Sequence, residues 1–293
     1  GMRLYAKAEG LVSAVAKIKR LACEKRVGHT GTLDPMATGV LPILLGRATT
    51  LSSLMLDADK KYIARVKLGV ITDTDDITGE VLQENNVNID DAKLKEVLDS
   101  FLGKQSQIPP MYSALKKDGV RLYKLAREGK TVEIEPRNIE IYAINLLEPL
   151  DKENTFKIEV HVSKGTYIRS LARDIGEALE CGATLTELER TYASGFGIDE
   201  CVTVEQLEEM GVQNFLYNEE KAVEHLKEIE VTSKQAIRFC NGGQLGFDRL
   251  RSFIPEEDCL YRVKYNDMLL GIGFADMENS QIGIKCILNY PEG

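Results

Sequence analysis

The sequence predicts an α+β fold, with a core on a mixed, largely antiparallel sheet followed by a small C-terminal β-rich domain. Within residues 1–200, helical and strand patterns are interspersed without the regular alternation that marks a parallel sheet. Residues 199–230 hold ten acids and two bases, which is typical of a boundary region. The short strands that follow are separated by Gly and Pro. We therefore expect domains at 1–228 and 229–293.

Hydrophobic periodicity locates the individual elements. A helix is predicted over residues 13–23, with Ser13 as its cap. Residues 61–70 alternate apolar and polar side chains, as a half-buried strand does. Thr203 opens a capping box at the start of a further short helix. The other predicted elements are helices at 91–102 and 167–180 and strands at 138–146, 155–163, 260–265 and 269–274.

Composition favours an ordinary globular protein. Apolar residues make up 43% of the chain and charged residues 28%. No apolar run approaches the roughly 18 residues of a membrane helix, and the first residues lack the layout of a signal peptide. The six cysteines are scattered without a C-x-x-C pair, which disfavours a structural zinc site. We expect a cytoplasmic monomer with reduced thiols and no membrane partner.

The net charge of −9 argues against a nucleic-acid partner, but its distribution weakens that objection. Residues 1–60 contain nine bases and five acids, a local charge of +4. Screening limits the reach of exposed charges to about 10 Å, so a locally basic surface can still attract RNA. The bases concentrated in one run are Lys17, Lys19, Arg20, Lys25 and Arg26.

The Gly- and Thr-rich segment 28–35 is the most informative part of the chain. It is not a Walker A loop, because no Gly-Lys-Ser/Thr follows. Gly28 to Gly31 matches the GxxG pattern of a KH domain, a pattern common by chance. A third interpretation takes Asp34 as a carboxylate fixed on a rigid turn. A simple capping role for Asp34 is equally compatible with the spacing.

Two further features concern charged side chains. The acidic segment 73–79 departs from an EF-hand loop at Ile77 and Thr78, so a hydrogen-bonded Asx-type turn is the better interpretation. Arg169 and Arg173 stand four residues apart on one face of the predicted 167–180 helix. The helix dipole favours anions near a helix start, so arginines there are compatible with specific anionic partners. The spacing by itself favours simple exposure to solvent.

Taken together, five segments resemble the bacterial tRNA pseudouridine synthase B (TruB) family. The longest match, Lys25 to Pro42, is similar to the catalytic segment of that family almost residue for residue. The tail, 231–293, resembles the RNA-binding PUA-like domain more loosely. The other matching segments are 60–62, 72–79, 107–114 and 164–169.

The resemblance implies a pseudouridine synthase core with a PUA-like tail, acting on uridine 55 in the T loop of tRNA. It implies neither cofactor nor metal, because a carboxylate can perform the covalent step. Arg169 would hold that carboxylate charged and oriented. The implied roles are nucleophile for Asp34, stacking on the flipped base for Tyr62, pairing with Asp34 for Arg169, pocket lining for Tyr167 and Leu188, and T-loop contact for His29.

The sequence also allows two other functions and departs from the family pattern at two places. A non-catalytic tRNA-binding or RNA-chaperone protein is the rival function, and it needs no nucleophile. A synthase acting on ribosomal RNA would usually carry an Arg-Leu-Asp signature, which is absent around Asp34. Residues 7–13 lose the Pro and Thr of the family pattern. Paired arginines that contact phosphate in the family read Glu189-Arg190 here, so we expect one phosphate contact fewer.

Overall fold

The structure is a computed structural model that describes residues 2–5, 11–113, 115–130 and 132–292. The helices are α1 Leu11–Leu21, α2 Ser52–Met55, α3 Asp91–Ser100, α4 Leu122–Arg127, α5 Ile168–Ala178, α6 Val204–Met210 and α7 Ser233–Cys240. The strands are β1 Met2–Tyr5, β2 Val27–His29, β3 Thr38–Leu45, β4 Lys60–Leu68, β5 Val70–Thr72, β6 Val81–Glu84, β7 Gly103–Gln107, β8 Lys116–Lys117, β9 Val120–Arg121, β10 Arg137–Glu148, β11 Thr155–Val162, β12 Ala183–Ala193, β13 Phe196–Gly197, β14 Val202–Thr203, β15 Lys227–Glu230, β16 Leu245–Gly246, β17 Leu260–Tyr265, β18 Met268–Asp276 and β19 Gln281–Ile287.

A large sheet forms the centre of the molecule, in the order β14-β1-β3-β12-β4-β11-β10-β7, with β2 beside β3 and β13 beside β12. Strands β1 and β14 pair in parallel, as do β3 and β12. The other strand pairs described in this sheet are antiparallel. The predicted mixed, largely antiparallel α+β core is therefore confirmed.

Alternation along β4 builds the main core of this sheet. Tyr62, Ala64, Val66 and Leu68 are each at most 8% exposed, and the residues between them face outward. The strand ends at Leu68 because Gly69 adopts a positive φ of 83°, a backbone conformation that suits glycine. Helix α5 packs its apolar stripe onto β12 and β4, which anchors the helix over the sheet.

A second, five-stranded sheet, β15-β17-β18-β19-β16, carries the C-terminal part, as expected of a β-rich tail. It does not stand apart from the first sheet. Leu44 and Leu54 of the first part share a buried cluster with Leu269, Ile272 and Leu288 of the second. The boundary at residue 228 stays a prediction, because the packing alone does not divide the chain there.

Polar contacts cross the same junction. The Arg47 guanidinium donates to the carbonyl of Leu288 at 3.4 Å and lies 5.3 Å from the ring centroid of Tyr290. The arginine therefore adds a hydrogen bond and a cation–π contact to the shared apolar cluster. These contacts fix the second sheet against the first.

The start of α1 differs from the prediction. The helix begins at Leu11, so position 13 lies inside the helix and not at its N-cap. The apolar stripe located the centre of this helix, but a capping preference of about 1 kcal/mol does not by itself fix where a helix begins. Most of the atypical 7–13 segment falls on residues 6–10, outside the described residues.

The capping box predicted at Thr203 is confirmed. The Thr203 hydroxyl accepts from the backbone N–H of Gln206 at 3.1 Å, and the Gln206 side chain accepts from the Thr203 N–H at 2.9 Å. Both bonds satisfy donors that the first turn of α6 would otherwise leave unpaired. Within the described residues, every helix is too short or too polar to span a membrane.

The shared cluster predicts that the two sheets unfold together. Ile272 is fully buried there, so Ile272→Ala is expected to lower the free energy of unfolding by about 2–5 kcal/mol. Urea denaturation should still show one cooperative transition. Ile237→Ala, at a side chain that is 53% exposed, is the matched control and should leave the midpoint unchanged. A separate early transition that carries the whole loss would contradict the shared cluster.

Candidate active site

The loop between β2 and β3 carries Asp34. Its first residue, Thr30, donates its backbone N–H to the carbonyl of Pro42 at 3.2 Å and its hydroxyl to the carbonyl of Ser52 at 3.3 Å. The Asp34 carbonyl accepts from the N–H of Ala37 at 2.8 Å and closes a turn. The backbone of Asp34 therefore makes the turn, and its carboxylate stays available for a side-chain partner.

That partner is Arg169, in the first turn of α5. Its Nε donates to Asp34 Oδ2 at 2.7 Å and its Nη2 to Asp34 Oδ1 at 3.3 Å. The Arg169 side chain is 5% exposed and that of Asp34 is 31% exposed. A bidentate, charge-assisted pair of this kind fixes the orientation of the carboxylate. The structure thus brings together two of the three residues expected to act in catalysis.

The acidic segment supports the same arginine from the other side. The carbonyl of Thr74 accepts from Arg169 Nη1 at 3.2 Å. The Asp76 carboxylate accepts from the Thr74 hydroxyl at 2.8 Å and from the backbone N–H of Thr78 at 2.9 Å. The predicted hydrogen-bonded Asx-type turn is confirmed, and it presents a carbonyl to the buried guanidinium.

Arg173 has two anionic partners, whereas its spacing on the helix had favoured simple exposure to solvent. Its Nη1 lies 3.3 Å from Asp75 Oδ2, and its Nε lies 3.1 Å from Asp174 Oδ1. Burial raises the pKa of the Asp75 carboxyl to about 6, although Arg173 and Arg169 oppose the shift. The acidic turn is therefore held to α5 through two arginines.

Tyr62 is the third residue expected to act in catalysis. It lies on β4, and its Cα is paired with that of Arg190 on the neighbouring β12. Burial raises the pKa of the Tyr62 phenol, the charge of Asp34 adds to the shift, and Arg190 opposes it. The tyrosine therefore stays a neutral phenol whose electrostatic environment includes the Asp34 carboxylate.

Tyr167 and Leu188 lie beside these groups. Tyr167 precedes α5, and the side chain of Gln107 holds its backbone by accepting from its N–H at 2.9 Å and donating to its carbonyl at 3.1 Å. Burial raises the pKa of the Tyr167 phenol, and the charge of Asp34 adds to that shift. Leu188 is 7% exposed and belongs to the same apolar cluster as Tyr62. These placements suit the lining of a pocket.

His29 ends β2, at the start of the loop that carries Asp34. Burial lowers the pKa of its imidazole, and the positive charge of Arg190 lowers it further. The neutral imidazole is therefore favoured at physiological pH. It can stack on a base or a ribose, but the structure gives it no direct contact with Asp34.

Arg190 departs from the sequence-based expectation. The phosphate contact implied for an arginine at this position is wrong for this structure, because the side chain is 1% exposed. Its Nε donates to the Val40 carbonyl at 2.9 Å and its Nη2 to the Gly31 carbonyl at 2.8 Å. The alternation of faces along β12 indicates this burial, because Arg190 falls on the same face of the strand as the buried Leu188.

The fold and site together define an RNA-modifying class, the pseudouridine synthases. The solved structure described as a Cbf5-Nop10-Gar1 complex aligns with a TM-score of 0.73 and 27% identity, over 99% of this chain and 83% of that chain. An archaeal box H/ACA sRNP Nop10-Cbf5 complex aligns with a TM-score of 0.71 and 26% identity, over 99% and 85% of the two chains. Both likenesses extend through the C-terminal sheet.

Sequence comparison gives the family. The model described as TruB family pseudouridylate synthase (N terminal domain) matches residues 19–168, and that of the tRNA pseudouridylate synthase B C-terminal domain matches residues 169–232. A tRNA pseudouridine synthase B of Clostridium perfringens is 43% identical over 264 residues, 89% of this chain and 90% of the relative. One of Francisella philomiragia is 49% identical over 221 residues, 74% and 72% of the two chains. The chain belongs to the TruB family of pseudouridine synthases.

The raised pKa of Asp75 predicts an unusual dependence of stability on pH. Between about pH 4 and 6 the folded carboxyl keeps a proton that the unfolded chain, with a pKa near 3.8, has lost. The native state therefore binds more protons there, and the contribution of Asp75 to stability falls as the pH rises, by at most about 3 kcal/mol.

Asp75→Asn removes the pH-dependent contribution of this carboxyl to stability. The unfolding free energy of the variant relative to the parent should therefore increase from pH 4 to pH 7 in urea titrations. Asp99→Asn, on the exposed face of α3, is the control and should run parallel to the parent. A constant difference between Asp75→Asn and the parent across this range would show that Asp75 does not titrate there.

Proposed function

We propose that this protein isomerises uridine 55 in the T loop of tRNA to pseudouridine, with Asp34 as the nucleophile. The observation that carries the proposal is the bidentate pairing of Asp34 with the buried Arg169. A carboxylate held in this way is oriented yet 31% exposed, so a substrate can reach it. Membership of the TruB family supports the reaction class.

The reaction breaks the bond between ribose C1′ and N1 of uracil and forms a bond between C1′ and C5. The proton at C5 leaves and N1 gains one, so atoms balance without an oxidant or a reductant. Asp34 can attack C1′, attack the base or drive elimination to a glycal. In each route Arg169 holds the carboxylate in place, and the bound RNA must keep water from a ribosyl adduct.

The surrounding side chains suit a flipped uridine. Flipping a base out of its stack costs a few kcal/mol of free energy, and contacts in the pocket must offset that cost. Stacking on an aromatic face such as Tyr62 contributes about 1–3 kcal/mol per base. In this proposal Tyr167 and Leu188 close the sides of the pocket, and the neutral imidazole of His29 contacts the T loop.

The choice of tRNA rests on the curated relatives, which are named as tRNA pseudouridine synthases. A protein that only binds or refolds tRNA is the rival, and it has no use for a bidentate pair between Asp34 and Arg169. The monomeric state and the cytoplasmic localisation stay predictions from the sequence.

The deciding experiment is incubation with an unmodified tRNA transcript, followed by mapping of pseudouridine along the whole transcript. We expect modification at uridine 55 and loss of modification when that position is replaced by cytidine. Modification at another position would overturn the site assignment. Refolded tRNA with no modified base would favour the rival function.

Asp34→Asn should bind tRNA with unchanged affinity and form no pseudouridine, because the amide retains the size of the side chain but is not a nucleophile. Single-turnover assays and filter binding with the same transcript measure the two properties. Asp258→Asn is the control, since this exposed residue has a φ of 57° that asparagine tolerates. Turnover by Asp34→Asn near that of the parent would refute the nucleophile assignment.

A further inference from the structure

Arg190 occupies the point where three strands of the large sheet meet. Strand β12 lies between β3 and β4. The Cα of Arg190 is paired with that of Gly39 on β3 and with that of Tyr62 on β4. The loop that carries Asp34 leads directly into β3. Arg190 therefore stands between the strand that follows Asp34 and the strand that carries Tyr62.

The guanidinium binds groups on both sides of this junction. It donates to the carbonyls of Val40 and Gly31 at 2.9 and 2.8 Å. Tyr62 is its cross-strand partner on β4, and the guanidinium opposes the rise in the pKa of the Tyr62 phenol. Gly31 lies three residues before Asp34, in the same loop between β2 and β3. One rigid, planar cation thus contacts the catalytic loop, β3 and the aromatic residue of the cleft.

The backbone around Arg190 leaves no room for a different arrangement. A Cβ at Gly39 would stand 2.1 Å from the Arg190 carbonyl oxygen, so β3 and β12 approach as closely as they do only because residue 39 is glycine. A Cβ at Gly31 would stand 3.1 Å from Arg190 Nη1, and Gly31 has a φ of 72°. The loop is therefore packed directly on the guanidinium.

The charge of Arg190 shifts the pKa values of nearby titratable groups. It lowers the pKa of His29 and opposes the rise at Tyr62. With burial, it also lowers the pKa of Lys60 to about 8, against the opposing charges of Asp59 and Asp57. A cation with this influence, enclosed in protein and bonded to carbonyls, is costly to bury unless its contacts are needed.

We infer that Arg190 is a positioning residue for the reaction, holding the Asp34 loop and Tyr62 in a fixed relation through its contacts with Gly31, Val40 and Tyr62. The inference rests on the proposed function. It differs from a phosphate contact, because the guanidinium is enclosed and substrate RNA has no access to it. The expected effect of disturbing it is on the rate of reaction of bound tRNA and not on affinity.

Arg190→Lys is the direct test. The ammonium keeps the charge but cannot bind the two carbonyls of Val40 and Gly31 in the fork geometry of a guanidinium. At saturating tRNA we expect the single-turnover rate per folded molecule to fall about 100-fold, as a misplaced catalytic group does. The tRNA dissociation constant should be unchanged. Near-UV circular dichroism gives the folded fraction used for the correction.

Arg65→Lys is the matched control. Arg65 lies on β4 like Tyr62, but it binds the Thr155 hydroxyl and surface carboxylates away from the cleft. We expect its rate and affinity to equal those of the parent. If Arg190→Lys yields too little folded protein, Gly31→Ala is the second variant. The added methyl group displaces the loop from Arg190 while the cation is kept. We expect the same loss of rate at unchanged affinity.

The outcomes separate the hypotheses. An unchanged rate per folded molecule in Arg190→Lys would overturn the inference and leave Arg190 with a purely structural role. Weaker tRNA binding with an unchanged saturating rate would also overturn it, in favour of a phosphate contact. If the parent forms no pseudouridine in tRNA, the proposed function itself fails, which the wild-type control reveals independently of any variant.

Discussion

The pairing of Asp34 with a buried guanidinium is the interaction on which the rest of the site depends. Removing one partner of a buried pair would leave an uncompensated charge, a loss of several kcal/mol. Arg169 is 5% exposed and must therefore be satisfied on every side. Asp34 binds two of its nitrogens and Thr74 the third. The turn around Asp76 and the start of α5 are built to make that possible.

Strand β12 holds the neighbouring strands of the site in place. It borders β3, which follows the Asp34 loop, and β4, which carries Tyr62. Leu188 and Arg190 project from the same face of β12, one toward the apolar cluster and the other into the carbonyls of Gly31 and Val40. Tyr62, Leu188 and Arg190 thus lie on adjacent strands of one sheet, which position side chains more precisely than loops do, and the Asp34 loop leads directly into a third of these strands.

The parts of the fold that alternate regularly could be predicted from the sequence, and the parts buried on both faces could not. β4 and β11 each have one polar face, and their periodicity revealed them. β3 is buried along nearly its whole length and contains Gly39 and Pro42, so it shows no period of two. The contact between Asp34 and Arg169 followed only from family resemblance, because 135 residues separate them.

The hydrogen bonds that join the cleft span long stretches of chain. They link residues 135 apart at Arg169 and 150 and 159 apart at Arg190. Forming contacts of such sequence separation costs loop-closure entropy before the contacts can stabilise the chain. During translation, a nascent chain that ends before residue 169 contains the carboxylate but neither guanidinium. At that point seven of the ten strands described in the large sheet have been made, but β12, which lies between β3 and β4 and carries Arg190, has not. The reaction centre can therefore assemble only after β12 has been added.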